Sequence, residues 1–562
     1  MKHESRPHCP ERKPSARRHN VLIVVLIAIA SAIWLAIRTG SKPSRILYPC
    51  QQAALANITL LKTMASLSIP SVASLRKAAT WLKPIFILSI ISVGGFVVST
   101  VQFNSGLEPL QADSNLERVP ITLDPQTALV QENASDLFFV QNATGLEGNM
   151  DLSVAELFDL MAAEGLQFYQ TSSTPEGLIA SDDVIIIKMN GQWDYRGGTN
   201  TDLIKSVIQM IVDHPDGFTG EVVIADNGQG LGDLDRHSPN SYYQNQSAAD
   251  VAEFFSPEWE VSTVLWDDLR DSTVDDYDLG DFSNGYVRSP VWHEDTELYV
   301  SYPKFQSPAT GAYISFKQGV WTNGSGFDSD RLNVINMPVL KTHFRYGVTG
   351  CIKHYMGVPQ GYIVGAVNPS IPHEHFSIGL GGMGTLMAET RFPVLNILDM
   401  VWINANPLES SYIVGPSTSY AVARATDIIG ASLDPVAMDY WVAKHVLIPT
   451  AEYLNYTEYT SLDPDNDTIH RNVYHGMILQ DESFHNYLER SMNELVDAGY
   501  QVTMAETEMN VFVSAMVATA PISPTTPTNS GTMDYLPIEI GAVALALFVV
   551  VLIVVFVKIR KT

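Results

Sequence analysis

Cysteine is scarce in this 562-residue chain, with only Cys9, Cys50 and Cys351, no two of them close in sequence. A cysteine-rich iron–sulfur or zinc motif within the chain is thereby excluded, and the spacing weighs against a disulfide framework. Basic residues are scarce over most of the length. Residues 102–536 hold 18 Lys/Arg against 58 Asp/Glu, a net charge of −40. Phosphate contact needs a basic face, so nucleic acid is not expected as a partner. Neither a P-loop nor a nucleophile-elbow serine is present. At the two ends it is acid that is scarce. Residues 1–101 carry 13 Lys/Arg and only Glu4 and Glu11, and residues 537–562 carry three Lys/Arg and only Glu539. Basic ends around an acidic middle suggest different compartments.

Three apolar runs fit a membrane. Residues 537–557 are apolar apart from Glu539 and run into the basic tail 558–562, "KIRKT". About 20 apolar residues span a bilayer, and the basic end is expected in the cytoplasm. Residues 21–37 are a second candidate and 84–101 a third. The basic tail 1–20 and the basic connector 38–83 both suit the cytoplasm, which a single helix between them forbids, so the first helix has no assigned direction. A cleaved signal peptide is the alternative reading of that helix, and the basic connector argues against it. The Pro/Ser/Thr-rich stretch 519–536 suits a stalk. Sequons stand at Asn133, Asn142, Asn245, Asn323, Asn455 and Asn466. Stalk, acidity and basic C-terminus together predict that the main domain is extracellular and contacts the bilayer only through its anchors.

Residues 102–150 are polar and show no period. The main domain is expected over 151–518, opening with the helical pattern "DLSVAELFDLMAAEG" capped by Asp151. Next come "DDVIIIKMN", a buried strand; "TDLIKSVIQMIVDH", a helix; and "GEVVIADNGQG", a strand entering a glycine-rich loop. This is a βαβ unit, which implies parallel pairing. "NQSAADVAEFF" and "TGCIKHYMG" read as helices, "LNVINMPVLKTH" as one strand, and residues 426–447 as strand, turn and helix. The fold class is α/β, a mostly parallel sheet flanked by helices, with N-terminal and C-terminal transmembrane helices. Residues 231–330, rich in Asp, Ser and Tyr, suit an insertion or cap.

Side chains two apart on a strand share a face, so Lys341 and His343 point the same way at the end of their strand. Lys188 and Asn190 end an earlier strand in the same manner. Ligands of open α/β sheets bind outside the carboxyl ends of the strands, so two such ends can aim amines at one crevice. The segments that follow, with Thr199 before one helix and Thr349 and Lys353 four apart on another, offer helix starts that favour an anion. The expected ligand is an anionic small molecule, a carboxylate or phosphate. His343, Lys341 and Lys353 are the candidate acid/base groups, since a desolvated lysine can act as a base or an amine. Lys188, Asn190, Thr199 and Thr349 are the candidate binding groups. Each has a plainer reading: lysines leaving a core, a loop histidine, a capping threonine. Asp226 suits ligand binding or a turn cap. Asp434 and Asp439 complete the candidate binding groups: Asp434, before Pro435, also suits a helix cap, and Asp439, one turn further on, either faces the site or is solvated. His373 and His375 could be half of a metal site with His343 or His354, but a solvated loop suits them better. Glycines 379, 381, 382 and 384 lack dinucleotide spacing. No metal and no cofactor is expected. Cys50 is either a buried apolar residue or a reactive or lipid-modified thiol.

In order, "VIIIKMN" with "GTNTD", "VVIADNG", "INMPVLKTHFRYGVTGCIKHYMG" and "ASLDPVAMDYWVAKHVL" resemble the domain of unknown function 362 family over residues 180–450. The resemblance implies Lys188, Asn190, Lys341, His343, Thr349, Lys353, Asp434 and Asp439 as the family's characteristic polar positions. It implies no reaction. Many members carry a ferredoxin-like segment that this chain lacks, so an electron-transfer role would need a separate redox partner. The expectation is an uncharacterised membrane-anchored protein that binds an anion, with acid/base or redox-linked chemistry left open. The alternatives are a non-catalytic surface receptor or solute-binding domain and a structural envelope protein.

Overall fold

The computed structural model describes residues 118–516, apart from internal stretches of which 237–245, 361–376 and 408–422 are the longest. The described residues all fall in one compact unit, residues 112–562. The three apolar runs, the connector and the stalk lie outside the described residues, as do Cys50, His373 and His375. Among the described residues no helix is long and apolar enough to cross a membrane.

Near-continuous apolar runs make strands that are buried on both faces, as in parallel sheets covered by helices. β2 (Val184–Met189) and β3 (Glu221–Asp226) are buried at every position. Between them runs α2 (Thr201–Val212), whose Leu203, Ile204, Val207, Ile208 and Ile211 recur at helical spacing and are buried. β2 and β3 pair in parallel. The ten-stranded central sheet adds β1 (Ser135–Gln141), β4 (Glu260–Leu265), β10 (Leu332–Met337), β11 (Val339–His343), β12 (Gly347–Thr349), β13 (Leu395–Asn404), β14 (Arg424–Ser432) and β15 (Met509–Ala515). Its order is β15-β1-β14-β13-β10-β2-β3-β4, with β11 pairing β12 and β13. Antiparallel pairing occurs only at β1/β14, β13/β14 and β11/β12.

Alternate residues serve two cores. Ile185, Ile187, Val222 and Ile224 face the one covered by α1 (Ser153–Ala163), α2 and α3 (Ala248–Phe255). Ile186, Val223 and Val334 face the other. That second core is closed by α4 (Cys351–His354), α5 (Gly382–Glu389), α6 (Pro435–Val442), α7 (Phe484–Asp497) and a second sheet. This sheet is antiparallel and comprises β5 (Gly285–His293), β6 (Leu298–Gln306), β7 (Tyr313–Ser315), β8 (Gly319–Thr322) and β9 (Gly326–Asp328).

Several sequence expectations need correction. The segment 102–150 is not wholly irregular, because "SDLFFVQ" forms β1 inside the sheet, with Phe138 and Phe139 fully buried. Seven residues are too few to show a period. The region 231–330 is not one insertion, since α3 and β4 belong to the central layer and only residues 285–328 form the second sheet. "LNVINMPVLKTH" is two strands broken at Pro338, which fixes φ and has no N–H to donate. Thr349 lies on β12 and not on a helix with Lys353. Asp151 is one residue outside the N-cap of α1, though its carboxylate accepts from the Ser153 N–H at 3.0 Å. The glycines of "GLGGMG" serve packing: a Cβ on Gly381 or Gly384 would overlap Arg490 or Ser491 of α7.

Candidate functional site

Lys188 is the fifth residue of β2. Strand alternation turns it to the same face as Val184 and Ile186, into the second core, where it is fully buried. An ammonium has three protons to donate. Lys188 Nζ donates to Asp226 Oδ1 at 2.6 Å and Met189 O at 3.2 Å, and lies 3.0 Å from His354 Nε2. All three protons are placed. The tautomer of His354 follows from its other side. Asn336, level with Lys188 in the β2/β10 register, donates to Cys351 O and Asn396 Oδ1. Asn336 Oδ1 is therefore the acceptor, 2.7 Å from His354 Nδ1. Nδ1 carries the ring proton, and the Nε2 lone pair meets Lys188. Burial, reinforced by the Lys188 and Lys341 charges, holds the His354 ring well below the usual imidazole range, hence neutral.

Asp226, at the carboxyl end of β3, is used on both oxygens, since Oδ2 accepts from the Gly191 N–H at 2.8 Å. Gly357 lets the chain pass this pair: a Cβ there would lie 2.5 Å from both Asp226 Oδ1 and Lys188 Nζ.

Lys341 and Thr349 face each other across β11/β12. Lys341 is 1% exposed and donates a hydrogen bond to Gly197 O at 2.9 Å. Lys353, 7% exposed, makes no hydrogen bond or ion pair among the described residues. Burial lowers both amines to about 7, and for Lys341 the neighbouring Lys353 charge adds to the effect. The Thr349 hydroxyl and the Asn190 side-chain oxygen are buried with no partner among the described residues. His343 stacks on Tyr346, and its Nδ1 accepts from the Arg345 N–H at 3.3 Å.

These groups share one cavity of about 70 Å³, lined among others by Lys188, Asn190, Asp226, Lys341, His343, Thr349 and Lys353. At roughly 10–15 Å³ per water on this measure, it admits a carboxylate or phosphate group and little more. Its charged lining is three lysines against one aspartate, in a domain whose surroundings are acidic. Each missing hydrogen bond on a buried polar atom costs about 1–3 kcal/mol. The orphaned Thr349 and Asn190 atoms therefore mark a place where a ligand would complete the bonding.

Three of the sequence candidates do not line the cavity. Thr199 accepts from the Asn190 N–H at 2.8 Å and donates to Met337 O at 2.7 Å, tying the end of β2 to β10. Asp434 caps α6, accepting from the Val436 and Ala437 N–H groups at 2.8 and 2.9 Å. Asp439 accepts from Cys351 N at 2.6 Å and Ile352 N at 3.0 Å. Burial raises Asp434 to about 6 and Asp439 to about 7, against the pull of those amides. The helix starts expected to hold an anion are thus already occupied. Asp439 serves α4, with Gly350 leaving room for its carboxylate, and the Asn200 side chain caps α2, accepting from Asp202 N at 3.0 Å. The anion-binding capacity rests on amines and a hydroxyl. Sequence reasoning weighed His354 only as a metal partner of His373 and His375, and it missed Asn336, which nothing local marked as the partner of His354. Among the described residues no group of three His, Cys, Asp or Glu is placed to hold a metal.

Fold and site define an α/β domain with a lysine-lined polar cavity at the carboxyl ends of its parallel strands. Residues 329–444 match the family model described as domain of unknown function (DUF362). Over that segment the chain is similar to the family. The matched segment contains Lys341, His343, Thr349 and Lys353, whereas Lys188, Asn190 and Asp226 precede it. No curated protein and no solved structure matches the chain.

Proposed function

We propose that the cavity binds the anionic group of a small molecule through Lys341, Lys353 and Thr349, with Lys188 as a fixed internal cation. The observation that carries this reading is Lys353, a residue 7% exposed whose amine has no partner among the described residues, in a cavity that also holds an unpartnered hydroxyl. An uncompensated buried amine destabilises a fold, and a bound anion would remove that cost. His343 and the two lysines are the groups available for acid/base work. Pure binding without turnover is the second reading. It is favoured by Asp226, the lining carboxylate, having both oxygens engaged and so being no free base.

The test is a melting-temperature screen of the full-length protein with phosphate, sulfate and small carboxylates, wild type beside Lys353→Met and Lys341→Met. A stabilising anion that both variants ignore is the expected result. Equal stabilisation of all three proteins would sink the reading.

We further propose that the domain stands outside a membrane, held by the apolar runs at 21–37, 84–101 and 537–557, with the C-terminus cytoplasmic. The charge asymmetry and the stalk support this. Accessible sequons support it too: Asn133, Asn142 and Asn455 are exposed, each at a left-handed turn position. Mass spectrometry of the protein taken from its native membrane should find sugar on these asparagines. Bare asparagines, together with a domain protected from protease added outside, would reverse the topology.

A further inference from the structure

Two buried lysines share one small cavity, and among the described residues only one of them is tied to the protein. Lys341 is anchored by Gly197 O and keeps two N–H donors for a ligand. Lys353 has no such anchor among the described residues. A lysine becomes a nucleophile when it is desolvated, and Lys353 is 7% exposed in a cavity that it shares with Lys341. An anion alone would not use everything present. The Asn190 oxygen is an acceptor, so it is completed only by a ligand that brings a donor.

Building on the anion-site reading, we propose that Lys353 forms an imine with the carbonyl of a small oxo acid whose carboxylate is held by Lys341. The unprotonated Lys353 nitrogen adds to the carbonyl carbon. The C=O π electrons move to oxygen, which gains a proton as nitrogen loses one, giving a carbinolamine. Loss of the hydroxyl with a second proton from nitrogen releases one water and leaves C=N. Nothing is oxidised or reduced. The Thr349 hydroxyl, both donor and acceptor and unpartnered in the same cavity, is suited to pass the proton from nitrogen to oxygen. The carbinolamine O–H is the donor that the Asn190 oxygen lacks. Burial that lowers Lys353 to about 7 leaves roughly half of it unprotonated at neutral pH, against on the order of one part in a thousand for an ordinary lysine.

Borohydride trapping tests this. Full-length protein is incubated with glyoxylate or pyruvate, reduced with sodium borohydride, digested and analysed by mass spectrometry. The expected product is the Lys353 peptide, heavier by the oxo acid less one oxygen atom. Its yield should be on the order of tenfold or more above that of any exposed lysine. Lys353→Arg, which keeps the positive charge, should abolish the adduct while leaving anion-induced stabilisation measurable. Lys341→Met should lower the yield with oxo acids but not with a neutral aldehyde of similar size. An adduct on Lys341, or one spread evenly over surface lysines, would overturn the inference. So would no adduct at all in a protein that phosphate or carboxylates still stabilise, and the anion site would then stand without the imine. If no anion stabilises the protein and no adduct forms, both fail.

Discussion

Asp226→Ala is expected to lower the stability of the domain by about 3–5 kcal/mol, the cost of breaking a buried ion pair by removing one member. Among the described residues Asp226 is the only carboxylate bonded to Lys188, a buried lysine. Without it the ammonium keeps only a backbone carbonyl and the His354 lone pair. Burial already lowers the Lys188 amine from its usual range, and the Asp226 charge is what opposes that shift. Removing Asp226 also strips the Gly191 N–H of its acceptor. Asp226→Asn retains a carbonyl oxygen and should lose less. Lys353→Met should behave in the opposite sense, because its amine satisfies no partner among the described residues and methionine fills a similar volume. Chemical denaturation of the full-length protein, followed by tryptophan fluorescence, measures all three. A loss below about 1 kcal/mol in Asp226→Ala would mean that the pair is not ionic.

Affinity for a plain anion such as phosphate is expected to fall as pH rises above about 7, by up to tenfold per unit for each proton taken up on binding. Lys341 and Lys353 sit at about 7 in the free protein, half charged at neutral pH. A bound anion favours the charged forms and raises both values. Completing two half-charged amines takes up about one proton in total at pH 7. Calorimetry in buffers of different ionisation enthalpy reads that number directly, and binding without proton exchange would rule the mechanism out. Stability of the free protein follows the same linkage. Between about 7, the folded value, and about 10.4, the unfolded one, the unfolded chain holds more protons on these lysines. Their contribution therefore rises with pH across that window. The advantage of Lys353→Met over wild type should be greatest at or below pH 7 and should vanish near pH 10.

Strand runs such as "VIIIKMN" and "EVVIAD" were legible in the sequence because a strand buried on both faces must be apolar throughout. The alternation that pairs Lys341 with His343 and Lys188 with Asn190 was legible for a similar reason, since side-chain direction along a strand is local geometry. The Asp434 cap was legible because Asp before Pro meets the needs of a helix start. Composition alone excluded an internal iron–sulfur cluster and set an acidic middle between basic ends. What sequence could not supply was which donors and acceptors are already matched. Lys188 and Lys353 look alike as lysines, yet among the described residues one has all three protons placed and the other has none, because Asp226, 38 positions away, and His354, 166 positions away, bond only to the first. The amides at the start of α4 looked free for a ligand until the fold brought Asp439 onto them from 88 residues downstream. β1 escaped notice because its place between β14 and β15 depends on partners some 290 and 370 residues away. Local periodicity fixed the elements and the direction of their side chains. Which polar groups remain unsatisfied, and so where a ligand would be held, was decided only by long-range packing, because hydrogen-bond partners are set by proximity in space and not along the chain.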